Sequence, residues 1–214
     1  MTYPIFNSFV NQIENEVSNK NINIKTFKTW HEDRINATGL EILTDVKRAN
    51  NTIKEIAINF DWDRFREITL ATQLKGLNEH PMLQDENIAG IEVEPKIDVE
   101  VSWIFNEQHA QIALHDEPEN KRLKRVRNWM QAINKQLNEL YNKKDIITRW
   151  HIELEGNGNK YISTLSLISY FQYSFAHLNS LNEAHHYISK QLKELLLILK
   201  QVHNLSDSAI KSAA

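Results

Sequence analysis

Four acidic residues on one segment of the chain are the first candidates for a functional surface. They are Glu92, Glu94, Asp98 and Glu100. The odd positions of the segment from Ile91 to Phe105 are apolar, which is the period of a half-buried strand with one acidic face. Like charges on one strand face repel one another, and only Lys96 relieves them here. We therefore expect a positive group opposite this face, either on the protein itself or on a basic protein partner.

Within the chain, that positive group would be the basic run from Lys121 to Arg127, in which five of the seven residues are basic. The preceding segment from Leu77 to Glu119 carries eleven acidic residues and one basic residue, so the run has an acidic complement nearby. A phosphate or anion site, with Trp129 available for stacking, is the functional alternative. A solvated helix face explains the run more simply. The sequence therefore predicts no binding to nucleic acid.

Histidine and carboxylate residues at the spacing of strands form a second candidate site, for a divalent metal or for general acid–base catalysis. The candidate metal ligands are His109, His115, His151 and Glu153. Strand periodicity would place them on polar faces that could include Asp98 and Glu100. Their spacing is much looser than that of a zinc motif such as HExxH. Polar side chains that face water on an antiparallel sheet are the simpler interpretation.

Several classes of chemistry are excluded by what the chain lacks. It contains no cysteine, so no thiol nucleophile or thiolate metal site exists. It has only five glycines and no phosphate-binding loop, GxSxG elbow or HExxH helix. We therefore expect no cofactor. The longest purely apolar run is Leu195 to Leu199, too short for a membrane span, and we expect a cytoplasmic location without membrane contact.

Periodicity also predicts the elements that position these residues. Residues 4 to 19 have apolar residues three and four apart, which predicts a helix. Residues 21 to 51 fit a helix and a strand equally well, and both alternatives stay open. Residues 56 to 62 alternate as a strand does, and Asp61 is predicted to cap a helix that runs to about Lys75.

The acidic segment is predicted to lie at a sheet edge or to break at Pro95, because proline cannot donate to a strand ladder. Residues 110 to 114 continue the alternation and predict a return strand. In the C-terminal half, the spacing predicts a helix over 123–140, a strand over 146–154 with a short return at Tyr161, and a helix over 167–178.

The last helix is predicted to begin at Leu181, after a capping box formed by Ser180 and Glu183. Its apolar stripe runs to Val202 with alternating spacings of four and three residues. The helix predicted over 123–140 has a similar stripe. The two stripes could pack together or pair with a second subunit.

We therefore expect a single α+β domain over residues 1–214, with an antiparallel sheet of about four to six strands packed on helices and long amphipathic helices in the C-terminal half. With 41% apolar and 25% charged residues and a net charge of −3, the 214 residues have the composition of an ordinary globular protein. Our functional hypothesis is a non-enzymatic intracellular protein-binding module, of the inhibitor or immunity type, that uses the acidic sheet face. The alternative is a small metal-dependent enzyme or ligand-binding domain that uses the histidine and carboxylate cluster. The expected partner is a basic protein or a second copy of the chain.

Overall fold

A computed structural model describes residues 3–18, 24–34, 36–45, 53–74, 93–105, 147–155 and 161–213, together with Gln131, Lys135 and Glu139. The elements in chain order are α1 (Pro4–Ser18), β1 (Ile24–Glu32), β2 (Ala37–Asp45), β3 (Ile53–Asp63), α2 (Arg64–Gln73), β4 (Lys96–Phe105), β5 (Ile147–Glu155), β6 (Tyr161–Ser174) and α3 (Leu181–Ala213). The six strands form one antiparallel sheet in the order β1-β2-β3-β4-β6-β5. The prediction of an α+β fold with an antiparallel sheet is confirmed.

The prediction of several long amphipathic helices in the C-terminal half is not confirmed. Among the described residues this half contains one long helix, α3. The helix predicted over 123–140 is represented by Gln131, Lys135 and Glu139, which are helical and exposed. Its apolar stripe lies outside the described residues.

One face of the sheet forms the core, and we call it the core face. It carries the odd positions of β4 and the even positions of β3, because directly opposite residues of paired strands point to the same side. These residues are nearly inaccessible to solvent, and they are Ile56, Ile58, Phe60, Trp62, Ile97, Val99, Val101 and Trp103. The alternation predicted for both strands is therefore confirmed. The opposite face, which we call the open face, carries the charged and polar positions of the same strands.

The strand β4 begins immediately after Pro95 and lies between β3 and β6. Of the two alternatives, the edge position is therefore wrong. The strand does not extend across Pro95, and the residues before Val93, where a second strand would lie, are outside the described residues. Proline has no N–H to donate to a neighbouring strand. It is tolerated just before the first residue of a central strand because the ladder of hydrogen bonds begins after it.

Residues 21 to 51, which the sequence left open, contribute the hairpin of β1 and β2. The hairpin turns at Asn36, which has a φ of 48°. Asparagine tolerates this left-handed conformation better than most residues do. Trp30 and Gly39 lie opposite each other in the hairpin. The indole ring of Trp30 lies over Gly39, and a Cβ atom on Gly39 would overlap this ring.

The segment over 167–178 was predicted as a helix, and this prediction is wrong, because β6 runs from Tyr161 to Ser174. The return strand at Tyr161 is correspondingly much longer than expected. Leu167 and Phe171 are buried on the core face, while Ile168 and Tyr170 are half-buried on the open face. Apolar residues on both faces of a strand remove the period of two from its sequence.

The helices α1 and α3 cover the core face and lie parallel to each other. Aromatic rings join them to the sheet: Phe9 stacks on Phe175 at 5.2 Å between ring centroids and meets Trp62 edge-on at 6.2 Å. Three polar contacts recur every four residues along both helices: Ser8–His185 at 2.8 Å, Gln12–Ser189 at 2.6 Å and Glu16–Lys193 at 3.1 Å. The capping box predicted at the start of α3 is confirmed by the bond from the N–H of Glu183 to Ser180 Oγ, 3.2 Å long. The predicted helix over 4–19 is confirmed as α1.

The helix α2 begins two residues later than predicted. Its cap is Asp63, which accepts a hydrogen bond from the N–H of Arg66 at 3.0 Å, and Asp61 still belongs to β3. The strand β3 ends at Asp63, one residue beyond the alternation seen in the sequence. This places the side chain of Asp61 on the open face of the sheet.

Candidate functional site

Three carboxylates lie together on the open face, across the two central strands β3 and β4. Asp61 is directly opposite Asp98, and Glu100 follows Asp98 on the same face, opposite Asn59. We call Asp61, Asp98 and Glu100 the acidic patch. The side chain of Asp61 is exposed, whereas those of Asp98 and Glu100 are half-buried.

Asp98 is the member of the patch that pairs with a positive charge. Its Oδ2 accepts from Arg66 Nη2 at 2.6 Å, and its Oδ1 accepts from Gln172 Nε2 at 2.6 Å. The same guanidinium lies 3.1 Å, through Nε, from Oδ2 of Asp63, the cap of α2. One arginine is therefore shared between a patch carboxylate and a helix cap.

Glu100 is held by neutral donors instead. Its Oε1 accepts from Ser102 Oγ at 3.2 Å and from Asn59 Nδ2 at 3.4 Å. The hydroxyl of Tyr170, opposite Glu100 on β6, also bonds to this carboxylate. Burial, and then the negative charge and hydrogen bond of Glu100, raise the pKa of Tyr170, so its hydroxyl remains a proton donor. These bonds orient the carboxylate without neutralising it.

Asp61 has neither kind of partner: within the described residues its carboxylate makes no hydrogen bond and no ion pair. Loss of surrounding water, and then the negative charges of Glu100 and Asp98, raise the pKa of Asp61, although its side chain is partly exposed and Arg66 opposes the shift. On its other side lies Gly39, covered by the ring of Trp30. The patch thus combines an unpaired carboxylate with an adjoining aromatic ring.

The acidic residues predicted from the sequence fall in different places. Asp98 and Glu100 are in the patch, and Glu94 precedes β4, where it accepts from Ser174 Oγ at 2.8 Å and lies 3.9 Å from Lys96. Glu92 lies outside the described residues, as does the basic run over 121–127 that was expected to face these carboxylates. Asp61 was missed as a site residue because its position was interpreted as a cap, and only the pairing of β3 with β4 brings it to Asp98.

The histidine and carboxylate cluster is not assembled by the residues that can be placed. His109 and His115 lie outside the described part of the chain. His151 is exposed on the open face of β5, and Glu153 shares its face by register. His151 is opposite Ser166 of β6 and Glu100 is opposite Tyr170, four residues or roughly 13 Å further along that strand.

A metal ion therefore cannot join His151 to the acidic patch, because ligand atoms lie only about 2 Å from the ion. Over the ranges that the structure describes, no group of three or more histidine or acidic residues has the arrangement of a metal site. The same ranges contain no helix that is long and apolar enough to cross a membrane.

The open face thus carries a cluster of carboxylates on the two central strands. Among the described residues, neither Asp61 nor Glu100 forms an ion pair, whereas Asp98 pairs with Arg66. The groups that bond to Glu100 are two hydroxyls and an amide. In comparisons with known proteins, no family model, no curated protein and no solved structure matches this chain.

Proposed function

We propose that this protein is a non-enzymatic binding module, of the inhibitor or immunity type, whose acidic patch receives a basic segment of another protein. The single observation that carries the proposal is the charge balance of the patch. Of its three carboxylates, Asp98 alone pairs with a cation among the described residues, and that cation, Arg66, is also in contact with Asp63. A positively charged partner would supply the missing neutralisation.

The geometry of the patch suits a lysine or arginine side chain. A cation placed between Asp61 and Glu100 would meet two carboxylates that lie on adjacent, hydrogen-bonded strands and are therefore held in fixed positions. The half-buried ring of Trp30 beside Asp61 offers an aromatic face to the aliphatic or guanidinium part of that side chain. Negative potential at the patch would also accelerate the encounter with a basic partner, in a way that added salt reduces.

The alternative hypothesis, a metal-dependent enzyme or ligand-binding domain, has weaker support. It needs His109, His115, His151 and Glu153 to converge, and the one of these whose side chain is described, His151, stands apart from the acidic patch. We therefore favour the binding module.

The test compares two pairs of substitutions that remove the same charge. Asp61→Asn with Glu100→Gln neutralises the patch and leaves the contact between Arg66 and Asp98 intact. Glu14→Gln with Glu194→Gln, at two exposed helical positions, is the matched control. The wild type, the control and the patch variant are each used to capture proteins from cell extract. Mass spectrometry identifies the proteins that the wild type and the control retain and the patch variant does not. These proteins are then purified for titration.

We expect a basic protein whose affinity for the patch variant is at least about tenfold lower than for the wild type, as expected for two lost ion pairs. Its affinity for the wild type should fall steeply between 50 and 300 mM salt. The affinity of the control should stay within about twofold of the wild type. If every retained protein binds the patch variant and the control equally well, the acidic patch is not a docking surface and the proposal fails.

A further inference from the structure

The strand β5 forms one end of the sheet in the described part of the structure. It pairs with β6 through all nine of its residues, and the one irregularity of this ladder falls between Glu153 and Leu154, where β6 carries the extra residue. The strand β5 itself is therefore regular from Ile147 to Glu155. No described strand pairs with its outer side, whose backbone N–H and C=O groups are a template for pairing with another strand.

The sequence of β5 is complementary to itself when it is reversed. In an antiparallel pair of two β5 strands centred on His151, Arg149 of each copy lies opposite Glu153 of the other. The same register places Ile147 opposite Glu155 on that face and Trp150 opposite Ile152 on the other face. Directly opposite residues have Cβ atoms about 4.5–5.5 Å apart, close enough for both arginine–glutamate pairs to form.

The described side chains of β5 leave this edge accessible. Ile147 is 58% exposed, which is unusual for a large apolar residue in a strand, and Arg149 and His151 are also exposed. The guanidinium of Arg149 lies 5.7 Å from the ring centroid of Tyr170 on β6, so its side chain lies on the open face beside the edge. A second strand would cover part of Ile147 and give Arg149 an acidic neighbour on its outer side.

The other edge of the sheet, β1, lacks this complementarity. Its middle residue is Lys28, and reversing the strand about it places Lys28 against Lys28 and Lys25 against His31. Lysine on an edge strand is a common protection against unwanted pairing. Reversal of β5 also opposes two copies of its central residue, His151, but its charged neighbours pair as Arg149 with Glu153, so the two edges differ in their charged pairs.

We propose that a second copy of this chain binds along β5, in antiparallel orientation about His151, and extends the sheet to twelve strands, six from each copy. The two-fold axis is perpendicular to the sheet, so the open faces of both copies point to the same side. This dimer does not depend on the proposed function, because the residues that form it lie outside the acidic patch.

Charge reversal on β5 tests the proposed register. Arg149→Glu places two pairs of glutamates opposite each other in the dimer, and Glu153→Arg places two pairs of arginines opposite each other. The double variant, Arg149→Glu with Glu153→Arg, restores opposite charges across the interface. An equimolar mixture of the two single variants restores them as well, but only between unlike chains. Sedimentation velocity over a range of protein concentrations measures each association, and circular dichroism measures the folding of each variant.

We expect the wild type to dimerise, each single variant to dimerise at least about tenfold more weakly, and the double variant and the mixture to recover most of the loss. If the wild type is a monomer at every concentration, the proposal is wrong. If the single variants dimerise as the wild type does, or if neither the double variant nor the mixture recovers the loss, the register is wrong and β5 is not the interface. Because the double variant and the mixture recover association only through paired charges, a single variant that folds poorly does not imitate the expected result.

Discussion

Replacing the buried residue Glu67 should destabilise the protein more than replacing any exposed acidic residue. Glu67 lies on α2 and is fully buried. Its carboxylate accepts hydrogen bonds from the backbone N–H groups of Ile5 at 2.7 Å and Phe6 at 3.2 Å, and from the indole Nε1 of Trp62 at 2.7 Å. The first N–H groups of a helix have no partners within the helix, so Glu67 performs for α1 the role of a capping residue that is distant in sequence.

The size of the effect follows from these three bonds. Glu67→Ala leaves three donors buried without an acceptor, at about 1–3 kcal/mol each. Partial relaxation and entry of water reduce the sum, and we expect a loss of about 3–6 kcal/mol, which is a large part of the 5–15 kcal/mol that stabilises a typical domain. Glu67→Gln keeps the shape but turns an amide N–H towards a donor, and we expect a loss of about 2–4 kcal/mol.

Urea denaturation followed by tryptophan fluorescence and circular dichroism gives the free energy of unfolding of each variant. Glu14→Ala, at an exposed glutamate of α1, is the control, and its effect should stay within about 0.5 kcal/mol. Trp62→Phe should lower stability less in the Glu67→Ala background than in the wild type, because the indole N–H has already lost its acceptor. A loss below about 1 kcal/mol in Glu67→Ala would show that α1 does not depend on this carboxylate, and the argument above would be refuted.

Three further predictions concern the packing of the sheet and of the helices on it. Gly39→Ala should destabilise the protein by about 1–3 kcal/mol, because the new methyl group overlaps the ring of Trp30, and Trp30→Ala should remove most of this effect in urea titrations. Burial lowers the pKa of His185, so the unfolded chain binds a proton there more readily than the folded protein. Stability should therefore fall as the pH drops below about 6.5. Thermal melts over a series of pH values should show a smaller fall in His185→Gln. Leu195→Ala, on the buried side of α3, should lower the free energy of unfolding by about 2–5 kcal/mol, and an unchanged urea midpoint would show that this side is not packed.

The elements that were predicted correctly are those with one buried side and one wet side. The helix α1 and the strands β3 and β4 each show a clear period because their opposite sides meet different surroundings. The strand β6 carries half-buried apolar residues such as Ile168 on the open face as well as buried ones on the core face, so its period disappears and a helix was predicted. The hairpin of β1 and β2 was left open because its first strand is an edge with few buried residues.

The acidic patch could be predicted only in part, since it is made by the pairing of strands that are far apart in sequence. The alternation of β4 places Asp98 and Glu100 on one face, and this much can be read from spacing. The neighbouring position of Asp61 depends on the register between β3 and β4, which no local pattern specifies. Arg66 was not anticipated either, because it reaches Asp98 from the first turn of α2, across the end of β3.

The hydrogen-bond and ion-pair partners of the patch carboxylates indicate what the patch does. If its carboxylates served only to hold neighbouring elements, each would be expected to meet a cation, as Asp98 meets Arg66 and as Glu16 meets Lys193. Glu100 instead accepts from an amide and two hydroxyls, which hold its side chain in place without an ion pair. Asp61 stands beside it on the open face, where burial, and then the negative charges of Glu100 and Asp98, raise its pKa. Carboxylates that lie close together without an ion pair among the described residues repel one another. A basic partner that binds there would relieve this repulsion, and this is the physical reason for which we favour the binding module.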